Sequence, residues 1–234
     1  MEDAFIVNII TFYRISGVFI ILVALGFTIS QTGITKLFNY PQILRSPVDV
    51  ILSKYYEGGA KLKFFWTCFA LSSLMLIPMS AIFYKVLNRN DTPYLIIGAA
   101  FGIVSGVFYV LGLMRWTFLV DNLSSKYVNE TDNTNMKETI GIIFQSFHLY
   151  CGNSIGETMG FLCMGIWISI SGISMLGSKI LTPFIGLGFI VCGIGIFLGP
   201  LEWVGVKFAN KVNKLSMKIL MLLLVYMGIK LIIC

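Results

Sequence analysis

Charge is what this sequence has least of: Asp, Glu, Lys and Arg make up 12% of its 234 residues, against about a quarter in a soluble domain. It has one histidine, His148, which excludes a bis-histidine haem, and no His/Cys/Asp cluster at metal-ligand spacing. There is no P-loop and no G-x-S-x-G elbow. The five cysteines (Cys68, Cys151, Cys163, Cys192, Cys234) form no CxxC pair and lie in or beside apolar runs, where packing is their expected role. No metal and no cofactor is called for. The first apolar run follows Glu2 and Asp3 rather than a basic segment, and no A-x-A-like site follows it, so no removable signal peptide is expected.

Apolar residues fill the space that charge leaves, at 57% of the chain. They come in long uncharged runs, and runs of roughly 18 or more read as membrane spans. Six are expected, at about 5–30, 64–84, 94–120, 140–176, 183–204 and 216–233. Lipid offers no partner to a bare peptide group, so each should be helical. The fold class expected is therefore all-α: a polytopic transmembrane helix bundle, a single transmembrane domain over residues 1–234. Asn88 to Pro93 reads as a turn and Asn129 to Asn135 as a polar loop. Asn90-Asp91-Thr92 and Asn129-Glu130-Thr131 match glycosylation sequons, a pattern weak by chance frequency.

The net charge of +6 does not point to nucleic acid, because the basic residues sit between apolar runs. The first, third and fifth connections carry eleven of them: Lys36, Arg45, Lys54, Lys61, Lys63, Lys126, Lys137, Lys207, Lys211, Lys214 and Lys218. The other side carries four, Lys85, Arg89, Lys179 and Lys230. Lysine and arginine stay cytoplasmic, so both termini are expected outside, in a plasma membrane, with membrane lipids as partners. The oligomeric state is not legible. Lys207, Lys211, Lys214 and Lys218 also form a stripe at i, i+4, i+7, i+11, which orients a helix end and contacts headgroups.

After Ser46-Pro47, apolar residues fall at Val48, Ile51, Leu52, Tyr55 and Tyr56, a helical spacing. Ser46 suits an N-cap, Pro47 the first turn, and Asp49 the helix dipole. A short amphipathic helix over about 46–57 is expected in the membrane interface, with a lid over a cavity as the alternative. Glycine recurs every four residues at Gly98, Gly102 and Gly106 and again at Gly152, Gly156 and Gly160, with Gly195 and Gly199 in the fifth span. Such spacing lets helix backbones approach, and spans three and four are expected to pack together.

Ionisable residues inside spans are costly and usually face the bundle interior with a partner. They are Arg14, Arg115, His148, Glu157 and Glu202. On the expected orientation the last four gather toward the cytoplasmic side, with Arg14 nearer the middle. Nine α-helical steps place His148 and Glu157 on opposite faces, so they share a site only if the helix bends, at Gly152 or Gly156. Tyr150, Asn153 and Glu157 make the more continuous stripe. The run from 140 to 176 is longer than one span needs, which fits a break.

The stretch from Phe144 to Glu157, FQSFHLYCGNSIGE, preceded by Leu113 to Trp116, LMRW, resembles small bacterial multi-pass proteins grouped as the domain of unknown function 4386 family. An Arg-Trp pair closing one span and an F-Q-x-x-H-x-Y-x-G-x-x-x-G-E run in the next carry the likeness. It extends from about residue 95 onward, with Leu201-Glu202 and the last short span fitting and the first ninety residues matching only in layout. The resemblance implies a bacterial six-helix membrane domain and supplies no activity, substrate or cofactor.

Three functional readings stand open. In the first, Arg115, Trp116, His148, Asn153, Glu157 and Glu202 line a polar pocket that binds or moves a small or lipid-like ligand near the cytoplasmic leaflet; no inverted repeat supports a secondary transporter. In the second, His148 or Glu157 serves as the acid/base of an intramembrane enzyme. In the third, the chain is a non-catalytic accessory or immunity-type protein whose polar residues only join helices.

Overall fold

The backbone satisfies itself within helices along every apolar run, as a chain in lipid must. The structure is a computed structural model that describes residues 2–130 and 133–234, and side chains from residue 7 onward. Thr131 of the second sequon and the centre of the polar loop around it lie outside the described residues. The helices are α1 (Glu2–Phe38), α2 (Val48–Leu74), α3 (Leu76–Leu87), α4 (Leu95–Arg115), α5 (Asp121–Asn129), α6 (Thr134–Phe147), α7 (Gly160–Leu176), α8 (Pro183–Phe197) and α9 (Ala209–Ile233). Two π-helical segments, Trp116–Val120 and His148–Met159, join α4 to α5 and α6 to α7 without a break in the helix.

Six stretches are long and apolar enough to cross a membrane: Val7–Phe38, Val48–Leu87, Leu95–Asn129, Thr134–Leu176, Pro183–Val204 and Ala209–Ile233. Several run past the ends expected from hydropathy, because polar turns such as Thr134–Thr139 continue the helix beyond the apolar core. Large apolar side chains point outward along them, with Phe184 79%, Val191 67% and Leu222 72% exposed. Soluble surfaces do not present apolar area on this scale. The chain is a multi-pass membrane protein built as a helical bundle.

The chain forms two compact units. The first comprises the chain up to Leu25, Met75–Val107 and Thr158–Cys234; the second comprises Gly26–Leu74 and Phe108–Glu157. In the first, α7 and α8 approach so closely that a Cβ on Gly172 would stand 2.7 Å from the Gly186 carbonyl oxygen. Spans three and four pack here too: Gly98 faces Ile170, and the Ser105 hydroxyl donates to the Gly160 carbonyl at 3.1 Å. Trp167 fills the centre against Phe83 and Phe189.

One end of this unit is tied by Arg89, whose guanidinium donates to the Ser174 carbonyl at 2.8 Å and to Asp91 at 3.0 Å. The hydrogen bond from Arg89 holds the exposed Asp91 carboxyl below its ordinary value. A carboxyl lowered on folding adds stability above its unfolded value, about pH 4, and loses that contribution as pH falls through the folded value. Asp91→Asn should therefore unfold at a lower temperature than the wild type at neutral pH, with the gap closing in acid. Melting curves that coincide at every pH would remove this ion pair from the stability of the unit.

In the second unit the helix expected after Pro47 is present from Val48, and its chain continues past a break at Gly59, where φ is 53° and ψ −151°. That region is close to glycine-only, so Gly59 sets the angle at which the arm 48–58 leaves the rest of α2. The apolar stripe of the arm is covered by protein: Ile51, Leu52 and Tyr55 are buried in a core shared with Phe38, Trp66, Trp116 and Phe144. The arm packs its apolar face on an aromatic cluster.

Candidate functional site

The cluster beneath the arm starts from three residues that α-helical spacing and the Gly59 break bring together. Trp66 of α2 stacks on Trp116 at 4.6 Å between ring centroids and 9° between planes. Tyr55 of the arm also stacks on Trp116, at 5.9 Å and 21°, and its hydroxyl donates to the Trp116 carbonyl at 2.5 Å. Phe38, the last residue of α1, meets Tyr55, Trp66 and Trp116 edge-on, and Tyr40 meets Trp66 edge-on at 5.3 Å. Edge-to-face and offset contacts of this kind suit the ring quadrupoles and add to the area buried.

Charge enters on one flank. The Arg115 guanidinium lies over the Trp116 ring at 5.2 Å, a cation–π contact, and donates from Nη1 to the Gly112 carbonyl. Its Nη2 fills the space a side chain would take at residue 152: a Cβ on Gly152 would lie 2.7 Å from the guanidinium carbon. Glu157, Cys151 and the Tyr40 hydroxyl stand within electrostatic range of Arg115. Tyr40 lies on the connection after α1, outside the spans. Its hydroxyl is the buried end of a half-buried ring, and its pKa is pushed up by burial first and by Glu157 second, against a smaller lowering by Arg115.

His148 completes the flank. Its ring stacks on Phe144 at 5.5 Å and 16°, and lies edge-on to Trp116 at 6.2 Å. The π-helix that starts at His148 answers the geometric objection raised by α-helical spacing. With i→i+5 bonding each turn takes up about one residue more, so nine residues come close to two whole turns rather than two and a half. His148 and Glu157 thereby turn toward the same side without the bend at Gly152 or Gly156, and Arg115 is within electrostatic range of both. π-helical segments of this kind recur at functional sites.

Three buried polar atoms of this cluster, Arg115 Nε, His148 Nδ1 and Trp66 Nε1, have no hydrogen-bond partner. Buried polar groups are nearly always paired; three more such atoms, Trp167 Nε1, Ser171 Oγ and Ser174 Oγ, lie in the first unit, and those of this cluster differ in including two ionisable side chains. Asn153 is half-buried in the same π segment, whereas Tyr150 is 66% exposed and leaves the stripe expected at 150, 153 and 157. Glu202 lies outside this unit, half-buried on the 3-10 segment Gly199–Val204 that follows α8, and Arg14 is exposed on α1. Sequence reasoning missed Phe38, Tyr40, Tyr55, Trp66 and Phe144; the tryptophans were visible as rare large residues beside polar ones, but nothing in their spacing said they would stack.

Two open grooves lie in the same unit. One, of about 400 Å3, runs between α5 and α6 past Leu123, Lys126, Met136, Ile140 and Ile143. The other, of about 650 Å3, lies between the start of the arm and α6 and is lined by Val48, Asp49, Tyr127, Lys137 and Gln145. Leu123 and Ile140 belong both to the first groove and to the core that holds Trp116, so they form the wall between groove and cluster. Among the described residues no group of three or more His, Cys, Asp or Glu could hold a metal ion.

No curated protein and no solved structure matches the chain. A family match covers residues 15–233, so the kinship reaches across the first ninety residues as well, where the sequence alone showed only a common layout. With its Arg-Trp pair and its glycine-bearing π segment in one unit, the chain belongs to the family described as Domain of unknown function (DUF4386).

Proposed function

We propose that this protein binds the polar headgroup of a small or lipid-like ligand at Arg115, from the cytoplasmic leaflet of a bacterial plasma membrane, with both termini outside. The observation that carries the reading is the set of unpartnered donors around the aromatic stack: Arg115 Nε, Trp66 Nε1 and, in its Nδ1-protonated form, His148. A phosphate or carboxylate oxygen can accept from each of these donors, and arginine is the residue best suited to such groups. The groove along Leu123, Met136 and Ile140, beyond the wall that Leu123 and Ile140 form, offers an apolar surface for an acyl chain. Glu157 balances the charge of Arg115 while the site is empty and gives way to an anionic headgroup.

Dodecyl phosphate, added to the full chain in neutral maltoside micelles, tests this. Ligand at a hundred times its dissociation constant stabilises a folded protein by about 2.7 kcal/mol. The wild type should melt several degrees higher with the probe. Arg115→Gln should fold and show no shift, while Asn153→Ala should keep at least part of it. An unchanged shift in Arg115→Gln, or none in the wild type, would overturn the proposal. If Arg115→Gln fails to fold, Trp66→Phe, which removes one donor and keeps the ring, should weaken the response.

A further inference from the structure

Three of the four lysines before the last apolar run, Lys211, Lys214 and Lys218, sit on one face of α9, and Lys207 lies on the turn that leads into it, next to the exposed Phe208. Steps of three and four residues from Lys211 to Lys218 keep these three within an arc of roughly 60°. All four are exposed. The opposite face is committed to α8: the Asn213 side chain donates to the Ile196 carbonyl at 3.1 Å, and Ser216 lies against Gly195. The lysine face is thus turned away from the protein.

The connection from α8 places Trp203, Val204 and Phe208 at the same end, 51%, 75% and 64% exposed. Exposed Trp and Phe at the end of a span mark the level of the membrane–water interface. From that level α9 runs 25 residues, Ala209–Ile233, roughly 37 Å, against a hydrocarbon core of about 30 Å. Its first turns therefore cross the headgroup layer, and Lys214 and Lys218 start at or below it with their ammonium groups drawn up toward the phosphates. On the same stretch Leu215 and Ile219 are exposed beside Lys214 and Lys218, and Leu222 is exposed one turn beyond them.

We infer that this face of α9, with Trp203 and Phe208, is a binding surface for anionic phospholipid. Three cations in one column, with Lys207 on the turn before them, lie beside an apolar track, which fits a lipid carrying negative phosphate above two acyl chains. An acidic protein segment would meet the lysines but would leave Leu215, Ile219 and Leu222 without a role. The surface is independent of the Arg115 cluster, and either can fail without the other.

The protein carries its own reporter. Trp203 is half exposed, whereas Trp66, Trp116 and Trp167 are buried to within 1%, so bromine atoms on lipid chains near the interface quench Trp203 selectively. The full chain is reconstituted in phosphatidylcholine bilayers with a minority of phosphatidylglycerol, with bromine on one lipid or the other. Phosphatidylglycerol should quench about twofold more than its share of the bilayer, since each lysine near the surface favours anionic lipid. The excess should shrink in high salt. It should vanish when Lys207→Gln, Lys211→Gln, Lys214→Gln and Lys218→Gln are combined, and persist when the same four become arginine. Quenching in proportion to bilayer composition in the wild type would overturn the inference and leave the column to a protein partner. So would an excess that survives in the glutamine variant. Should that variant not fold, the wild-type measurement at low and high salt decides alone.

Discussion

Trp116→Ala is expected to cost about 3–5 kcal/mol of folding stability, the range for removing a buried tryptophan. The ring is 1% exposed and stands at the centre of the second unit, stacked on both Trp66 and Tyr55, with Phe38 edge-on and Arg115 over it. Its loss leaves a cavity among residues on three spans, and it uncovers Arg115, which then lies buried with one aromatic contact fewer. Trp116→Phe should cost much less, because a smaller ring keeps the stacking. Reversible unfolding in mixed micelles measures both, and near-ultraviolet circular dichroism reports the Trp66–Trp116 pair directly. A loss below about 1 kcal/mol for the alanine variant would mean that the stack is not a principal support of this unit.

The position of Trp116 also ties the stability of this unit to the proposed site. Its carbonyl takes the Tyr55 hydroxyl at the point where the helix changes from α to π, and the second π segment begins at His148, on the far side of the same ring. Both π segments flank the charged residues. The wider helical turn costs backbone hydrogen-bond geometry, and at His148 it achieves something an α-helix could not, turning His148 and Glu157 to one side. The arm from Val48 to Gly58 then closes over the rings through Tyr55.

The spans and the charged residues were legible because lipid makes both conspicuous. An uncharged run cannot hide its length, and Arg115, His148 and Glu157 stand out as ionisable residues in mostly apolar runs. The apolar stripe of the arm was legible as a helix face, but a stripe says only that something covers it; burial of Ile51, Leu52 and Tyr55 under protein rather than lipid is decided by partners far along the chain. The π segments were not legible. Periodicity arguments assume 100° per residue, and the i→i+5 register follows from packing of Arg115 against Gly152 and from the close contact at Gly156, neither of which has a sequence spacing of its own. For the same reason Tyr40, Trp66 and Phe38 went unread: they converge on one ring from α1, its connection and α2. Glu202 was grouped with the others on its expected depth alone, and depth does not specify which unit a side chain belongs to.

Gly112→Val should be among the most damaging single substitutions, and for a backbone reason. A Cβ at residue 112 would lie 2.8 Å from the Gly156 Cα and 3.0 Å from the Cys151 carbonyl oxygen. Conversely, a Cβ at Gly156 would lie 3.2 Å from the Gly112 Cα. No side chain can rotate away to relieve either contact, since the groups in the way are main chain of the π segment. Spans three and four would have to separate at the turn that also holds Arg115 against Gly152, so the charged flank of the cluster would open with them. Overpacking that shifts backbone costs typically about 1–3 kcal/mol and occasionally more, and with main chain on both sides of this contact the top of that range is expected, enough to leave little folded protein in detergent. Gly112→Ala should be milder yet still clearly destabilising, and Gly106→Ala, further along α4, serves as the comparison within the expected glycine stripe. The three are ranked by the fraction that survives extraction as a monodisperse species and by its melting temperature. If Gly112→Val matched Gly106→Ala, the contact between Gly112 and Gly156 would not be what sets the π register, and the alignment of His148 with Glu157 would need another cause.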